Sequence, residues 1–161
     1  YALRGRKVRI ALMTAIGVTD RKGAHDWKRR GERLVRKSGL PYTIVRPGWF
    51  DYNAADQHRL LLLQSDRRQS GTPRDGVVAR HQIAEVLVRS LREDTAIRKT
   101  FELVADTGPH PKDLNALFAE IDPDEQGAID GAHDMQNMPI EAEPSTVRKD
   151  LENMSDVASP Q

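Results

Sequence analysis

The sequence predicts an α/β fold built on a parallel sheet, and three observations carry that expectation. Val8 to Thr14 is a nearly continuous apolar run broken only by Arg9, the pattern of a strand buried on both faces. A helical stretch follows from Asp26 to about Ser38, closed by Gly39 with Pro41 barring its continuation. A second strand, Tyr42 to Arg46, then ends in Arg-Pro-Gly. Strands that alternate with helices point to parallel pairing through helical crossovers.

The elements follow in order. Tyr1 to Arg4 reads as the end of a helix, with Gly5 as its stop. Gly17 to Gly23 is a loop, and Asp26 is the expected N-cap of the first full helix. Trp27, Gly31, Leu34, Val35 and Ser38 fall on one side of that helix at helical spacing, which makes them its expected inner face. Tyr42 to Arg46 is rich in aromatic and β-branched residues. His58 to Gln64 and Gly76 to Ala79 are expected to pair as an irregular hairpin around SDRRQSGTPRDG. Arg80 to Arg92 reads as a helix with Ile83, Ala84, Leu87, Val88 and Leu91 inward. Lys99 to Val104 alternates, placing Phe101 and Leu103 inward. Pro111 suits a first helical position, and Leu114, Leu117, Phe118 and Ile121 form a short apolar face. A last short helix is expected near Val147 to Met154.

Composition narrows the function classes. The chain has 161 residues, 38% hydrophobic and 30% charged, enough for one domain with a core. No apolar run approaches the roughly 20 residues of a membrane-spanning helix. With no cysteine, disulfides and thiolate metal sites are excluded, which fits a cytoplasmic setting. The five histidines lie far apart in sequence, so no metal site is expected. Asp122 to His133 has oxygen ligands at several calcium-loop positions, but His133 stands where a bidentate glutamate is needed, so an acidic turn is the reading.

Charge is divided along the chain. Residues 113–161 carry 12 acidic and 2 basic side chains, a net of −10, which leaves +11 on residues 1–112. No nucleic-acid motif accompanies the basic part, so the expectation is an acidic extension folded over a basic body. The expected division is residues 1–106 as a nucleotide-fold segment and residues 107–161 as an acidic helical extension packed on it.

In a parallel sheet, ligands sit beyond the carboxyl ends of the strands. Two such ends, Thr14-Ala15-Ile16-Gly17 and Arg46-Pro47-Gly48-Trp49-Phe50, would face one crevice if their strands are neighbours. The order of elements from Val8 to Phe50, and above all TIVRPG after a Gly-Leu-Pro helix stop, resembles the second half of an atypical short-chain dehydrogenase/reductase of the NmrA-like, NAD(P)-binding kind. The resemblance covers about Lys7 to Val104. It implies a Rossmann-like parallel sheet, NADP or NAD as cofactor, and a small-molecule acceptor, with a homo-oligomer as a further expectation.

The same resemblance implies site residues. Met13, Thr14 and Ala15 would line the nicotinamide ribose. Lys28 would hold its hydroxyls and, with Thr14, form the catalytic pair. Pro47 and Gly48 would pack on the nicotinamide, and Trp49 and Phe50 would wall the substrate side. One departure stands out: Ala24, four residues before Lys28, occupies the position of the family's catalytic tyrosine, so no tuned hydroxyl acid is present there. His25, Asp51 and Tyr52 are the polar side chains near enough in sequence to be weighed as donors. Two activities therefore stay open: an NAD(P)H-dependent oxidoreductase for acceptors needing little acid help, and a non-catalytic NAD(P)-binding redox sensor. None of the glycines forms G-x-G-x-x-G, so the expectation is that these residues form the substrate-side half of the domain and by themselves do not bind dinucleotide measurably.

Overall fold

The computed structural model describes residues 8–158; the expected helix end at Tyr1 to Arg4 and its stop at Gly5 lie outside them. The elements are β1 (Ile10–Met13), α1 (Ala24–Lys37), β2 (Tyr42–Pro47), β3 (Trp49–Phe50), β4 (Arg59–Leu63), β5 (Val77–Val78), α2 (Arg80–Ser90), β6 (Lys99–Asp106), α3 (Leu114–Glu120) and α4 (Ser145–Ala158). Among the described residues no helix is long and apolar enough to cross a membrane.

The strands form one mostly parallel sheet in the order β1-β2-β6-β5-β3, with β4 on the other edge of β6. β1 and β2 are parallel, Ile10 opposite Tyr42 and Met13 opposite Val45. β2 runs parallel to β6 from Thr43 opposite Lys99 to Pro47 opposite Leu103. Beyond Pro47 the chain leaves this ladder, and Val77 of β5 pairs antiparallel with Ala105 instead. Gly48 marks the departure. A β-carbon there would meet the carbonyl oxygen of Gly76 at 2.5 Å, closer than packed atoms approach, so two backbones touch where the sheet changes partners.

The expected hairpin between residues 58–64 and 76–79 does not form. β4 pairs antiparallel with β6, and β5 pairs parallel with β3. β6 attracts both because it is the longest strand and is buried along nearly its whole length; that burial also replaces the expected alternation, since Thr100 and Glu102 are enclosed along with Phe101 and Leu103.

The apolar core lies on one side of the sheet. Val45, Leu60, Val78, Phe101 and Leu103 from the strands meet Ile83 and Val86 of α2, and Leu114 and Phe118 of α3. Leu117 and Ile121 pack against this cluster. α2 is turned from the expected face: Gln82, Ile83, Val86 and Ser90 are buried, while Ala84, Val88 and Leu91 are exposed. Gln82 takes an inward position because its side chain caps the helix, accepting from the Ala79 amide and donating to the Gln57 carbonyl. α3 starts later than Pro111 suggests, because Asp113 caps it by accepting from the Asn115 amide at 2.9 Å. α4 buries Val147 and Leu151 and packs against α1.

The other side of the sheet is organised by charge. α1 is capped by Gly23 rather than Asp26, whose carboxylate instead accepts from Arg21. Its inner face is Arg29, Glu32, Arg33 and Arg36, whereas Trp27 of the expected apolar face is 62% exposed. The arginines meet carboxylates about a hundred residues later. Asp130 accepts from Arg29 and, on both oxygens, from Arg33 at 2.9 and 2.8 Å. Asp124 accepts from Arg36 and from Thr100. Arg46 of β2 reaches Asp134 through two nitrogens at 2.7 Å each and Glu32 at 3.0 and 2.7 Å. All of these side chains are buried. Paired forks of this kind are what allow charge into a low-dielectric interior.

Candidate functional site

A cleft of about 450 Å³ opens at the carboxyl ends of β1 and β2, a volume within the roughly 300–1,000 Å³ of small-molecule sites. Its lining contains Thr14 and Ala15 after β1, Lys28 from α1, Pro47 at the end of β2, Gly48, and Trp49 and Phe50 of β3. Seven of the eight sequence-derived site residues thus share one cavity. Met13 does not; it is 45% exposed and ends β1 outside the lining.

The two strand ends are locked together by extended parallel bonding. The Thr14 amide donates to the Val45 carbonyl and the Ile16 amide to the Pro47 carbonyl, at 2.9 and 3.0 Å. The Gly48 amide donates to Leu103, and that of Trp49 to Gly76. The Thr14 hydroxyl donates to Glu32 Oε1 at 2.7 Å. Its proton is therefore engaged, and its oxygen is left to accept. Burial drives the Glu32 carboxyl upward, but Arg46, then Arg36 and the Thr14 bond, pull it below its usual range. The cleft thus rests on an ionised carboxylate.

Lys28 is exposed and has no ion pair or hydrogen bond among the described residues. The neighbouring cation, Lys22, is paired with Asp20. Trp49 is half-buried, Phe50 stands at the mouth beneath the Arg80 guanidinium, and Tyr52 meets Trp49 edge-on at 5.9 Å. Asp51 is spent on Arg80, and neither Asp51 nor Tyr52 joins the lining. His25 does line the cleft, with Nδ1 2.7 Å from the Gly17 carbonyl. A carbonyl only accepts, so Nδ1 carries a proton.

Sequence reasoning missed one wall. Asp20, Lys22, Gln69, Gly71 and Asp75 also face the cavity. They come from two polar loops that carry no periodicity. Asp66, fully buried, fastens the first by accepting from the Gly17 and Thr19 amides at 2.6 and 2.8 Å. Asp75 fastens the second by accepting from the Ser70, Gly71 and Thr72 amides. Burial pushes Asp75 up, yet these hydrogen bonds leave it below the usual carboxylate range. The capping box at Thr72-Pro73-Arg74-Asp75 was the available sequence signal.

In the acidic turn at residues 122–133, two of the carboxylates are engaged within the protein. Asp124 and Asp130 are consumed by arginines, and His133 pairs with Asp122. Among the described residues no cluster of His, Cys, Asp and Glu could hold a metal ion.

An ammonium, a Pro-Gly step and flat aromatic walls meet at the ends of parallel strands, where open α/β sheets bind their ligands. The fold and the cleft together define an α/β, Rossmann-like dinucleotide-binding protein. The chain belongs to the NAD(P)H-binding family, whose model matches residues 3–94. It is 34% identical over 98 residues to sanguinarine reductase of Eschscholzia californica, covering 59% of this chain and 35% of that protein. It is 38% identical over 86 residues to the chloroplastic protein TIC 62 of Oryza sativa subsp. japonica, covering 50% of this chain and 16% of the other. The chain therefore spans about a third or less of the length of these relatives. A solved putative NAD-dependent epimerase/dehydratase from Bacillus halodurans has the same fold, with a TM-score of 0.51 and 21% identity over 69% of this chain and 50% of that one.

Proposed function

We propose that this chain forms the nicotinamide-side wall of an NAD(P)H-dependent oxidoreductase of the atypical, NmrA-like short-chain dehydrogenase/reductase type, acting on a small acceptor. The carrying observation is the convergence of Thr14, Lys28, Pro47 and Gly48 on one cleft at the ends of two parallel strands. In this reading Lys28 donates to the ribose hydroxyls. Ala15 and Gly48 let the backbone come close, Pro47 packs on the nicotinamide, and Trp49 and Phe50 bound the acceptor. The bound dinucleotide supplies a hydride.

Ala24, the first residue of α1, is exposed and brings no acid to the cleft. His25 is the titratable group of α1 that does reach it besides Lys28. With Nδ1 held by Gly17, its other nitrogen is the one available for proton exchange. The acceptors proposed are those that take a hydride with little acid assistance, such as quinone- or flavin-like rings. Ala24 is also the observation that favours a second reading, a redox-sensing regulator that binds the dinucleotide without turnover.

The test is NADPH and NADH titration of the full-length protein, followed by oxidation assays with a panel of carbonyl, quinone and flavin acceptors. Replacing Lys28 with alanine is expected to weaken dinucleotide binding about tenfold, the loss of one charge-assisted hydrogen bond. Because Lys28 is exposed and unpaired, the thermal midpoint should stay unchanged. Equal affinity in the variant and the parent rules out the ribose role. Binding without oxidation of any acceptor selects the sensor.

A further inference from the structure

The acidic extension does more than neutralise α1; at one point it bonds the loop whose neighbouring residues line the cleft. Asn137 sits between the buried arginines and the loop that follows β1. Its side-chain oxygen accepts from Arg29 Nη1 at 2.5 Å, and its side-chain nitrogen donates to the Thr19 carbonyl at 2.9 Å. Its own carbonyl accepts from Arg21. Three bonds thus join one residue to α1 and to both ends of the 19–21 segment. That segment contains Asp20 and adjoins Ile16, Gly17 and Lys22, all of which line the cleft.

The loop has little else to hold it on this side. Gly17 takes φ 76° and Arg21 φ 56°, the left-handed region that a non-glycine residue enters only when its surroundings fix it. On the sheet side, Asp66 grips Gly17 and Thr19. On the outer side, Asn137 supplies the hydrogen bonds to Thr19 and from Arg21, while Asp26 takes the other Arg21 nitrogen. The Gly17 carbonyl is the group that orients His25. Any shift of this loop therefore moves the imidazole and the Asp20–Lys22 wall together.

We infer that Asn137 is a positioning residue for the dinucleotide cleft: the C-terminal extension, through this one amide, sets the 17–22 loop and with it the orientation of His25. This rests on the dinucleotide reading above for its consequence in binding, but not for its consequence in geometry.

Asn137→Asp is the informative variant. It keeps the shape and the oxygen that Arg29 uses, removes the donor to Thr19, and sets a carboxylate against that carbonyl. Two readouts are taken on the full-length protein: the imidazole NMR signals of His25, and the NADPH dissociation constant. The expected result is a displaced His25 signal and NADPH affinity about fivefold weaker or more, the low end of couplings between separate sites, while the thermal midpoint moves by less than about 4 °C. Unchanged His25 signals overturn the inference, and so does a displaced signal with unchanged affinity. If the parent itself binds no NADPH, the proposed function falls, yet the His25 signal still decides whether Asn137 sets the loop. Should Asn137→Asp fail to fold, Asn137→Ala removes the same donor to Thr19 without adding a charge and is read by the same two measures. Asn137→Ala that leaves His25 in place would overturn the inference.

Discussion

Arg46→Met is expected to cost about 3–5 kcal/mol of folding stability, the usual penalty for removing one partner of a buried ion pair. Arg46 is fully enclosed and divides its guanidinium between Glu32 and Asp134, four contacts of 3.0 Å or less. Burial works against its charge, but the two carboxylates outweigh that and hold it well above its usual pKa. Methionine fills the space and leaves Glu32 and Asp134 facing each other without it. The Thr14 hydroxyl, which leans on Glu32, loses an ionised acceptor if Glu32 takes up a proton. Urea unfolding is the measurement. A loss under about 1 kcal/mol would mean that water reaches this layer and that the arrangement behaves like an exposed pair.

The second large effect is a dependence of stability on pH that runs against the usual acid behaviour. Glu102 lies 3.3 Å from Arg46, which suggests an ion pair. That guanidinium is already matched by two closer carboxylates, however, and Glu102 is 3% exposed. Burial, only partly offset by Arg46, pushes its carboxyl up to about 8. The folded protein thus keeps a proton that the unfolded chain gives up above the ordinary glutamate value of 4.5. Between these two values the folded state binds more protons, so stability falls as pH rises, by up to about 1.4 kcal/mol per pH unit. Below that window the contribution is fully present, and above it the loss is complete. Glu102→Gln should flatten the slope between pH 5 and 8 in urea titrations. A parent whose stability is level or rises across this range would show Glu102 ionised in the fold.

The sheet and the cleft were legible because their signals are local. Val8 to Thr14 and Tyr42 to Arg46 are apolar runs, and a ligand crevice follows from where parallel strands end. TIVRPG added the identity of the turn. The apolar residues of α1 do not mark its buried face. Trp27, Leu34 and Val35 share a face, but so do Arg29, Arg33 and Arg36, and only the partners decide which turns inward. Those partners, Asp124 and Asp130, are far away in sequence. The opposition of −10 and +11 between the two parts of the chain was the one sequence trace of them. β5 escaped correct pairing because two residues carry no register of their own.

The arginine face of α1 also bears on the order of events during synthesis. Arg29 meets Asp130 across 101 residues and Asn137 across 108. Until that downstream segment has left the ribosome, Arg29, Arg33 and Arg36 on the inward face of the helix lack their aspartate partners, and desolvating their guanidiniums alone would be strongly unfavourable. The ladder of β2 with β6 and the core around Phe101 can close first. The docking of α1 then waits for nearly the entire chain, a high-contact-order step placed late in folding. Mutations in the arginine layer should accordingly speed unfolding while leaving the refolding rate nearly untouched, as stopped-flow measurements on Arg33→Met would reveal.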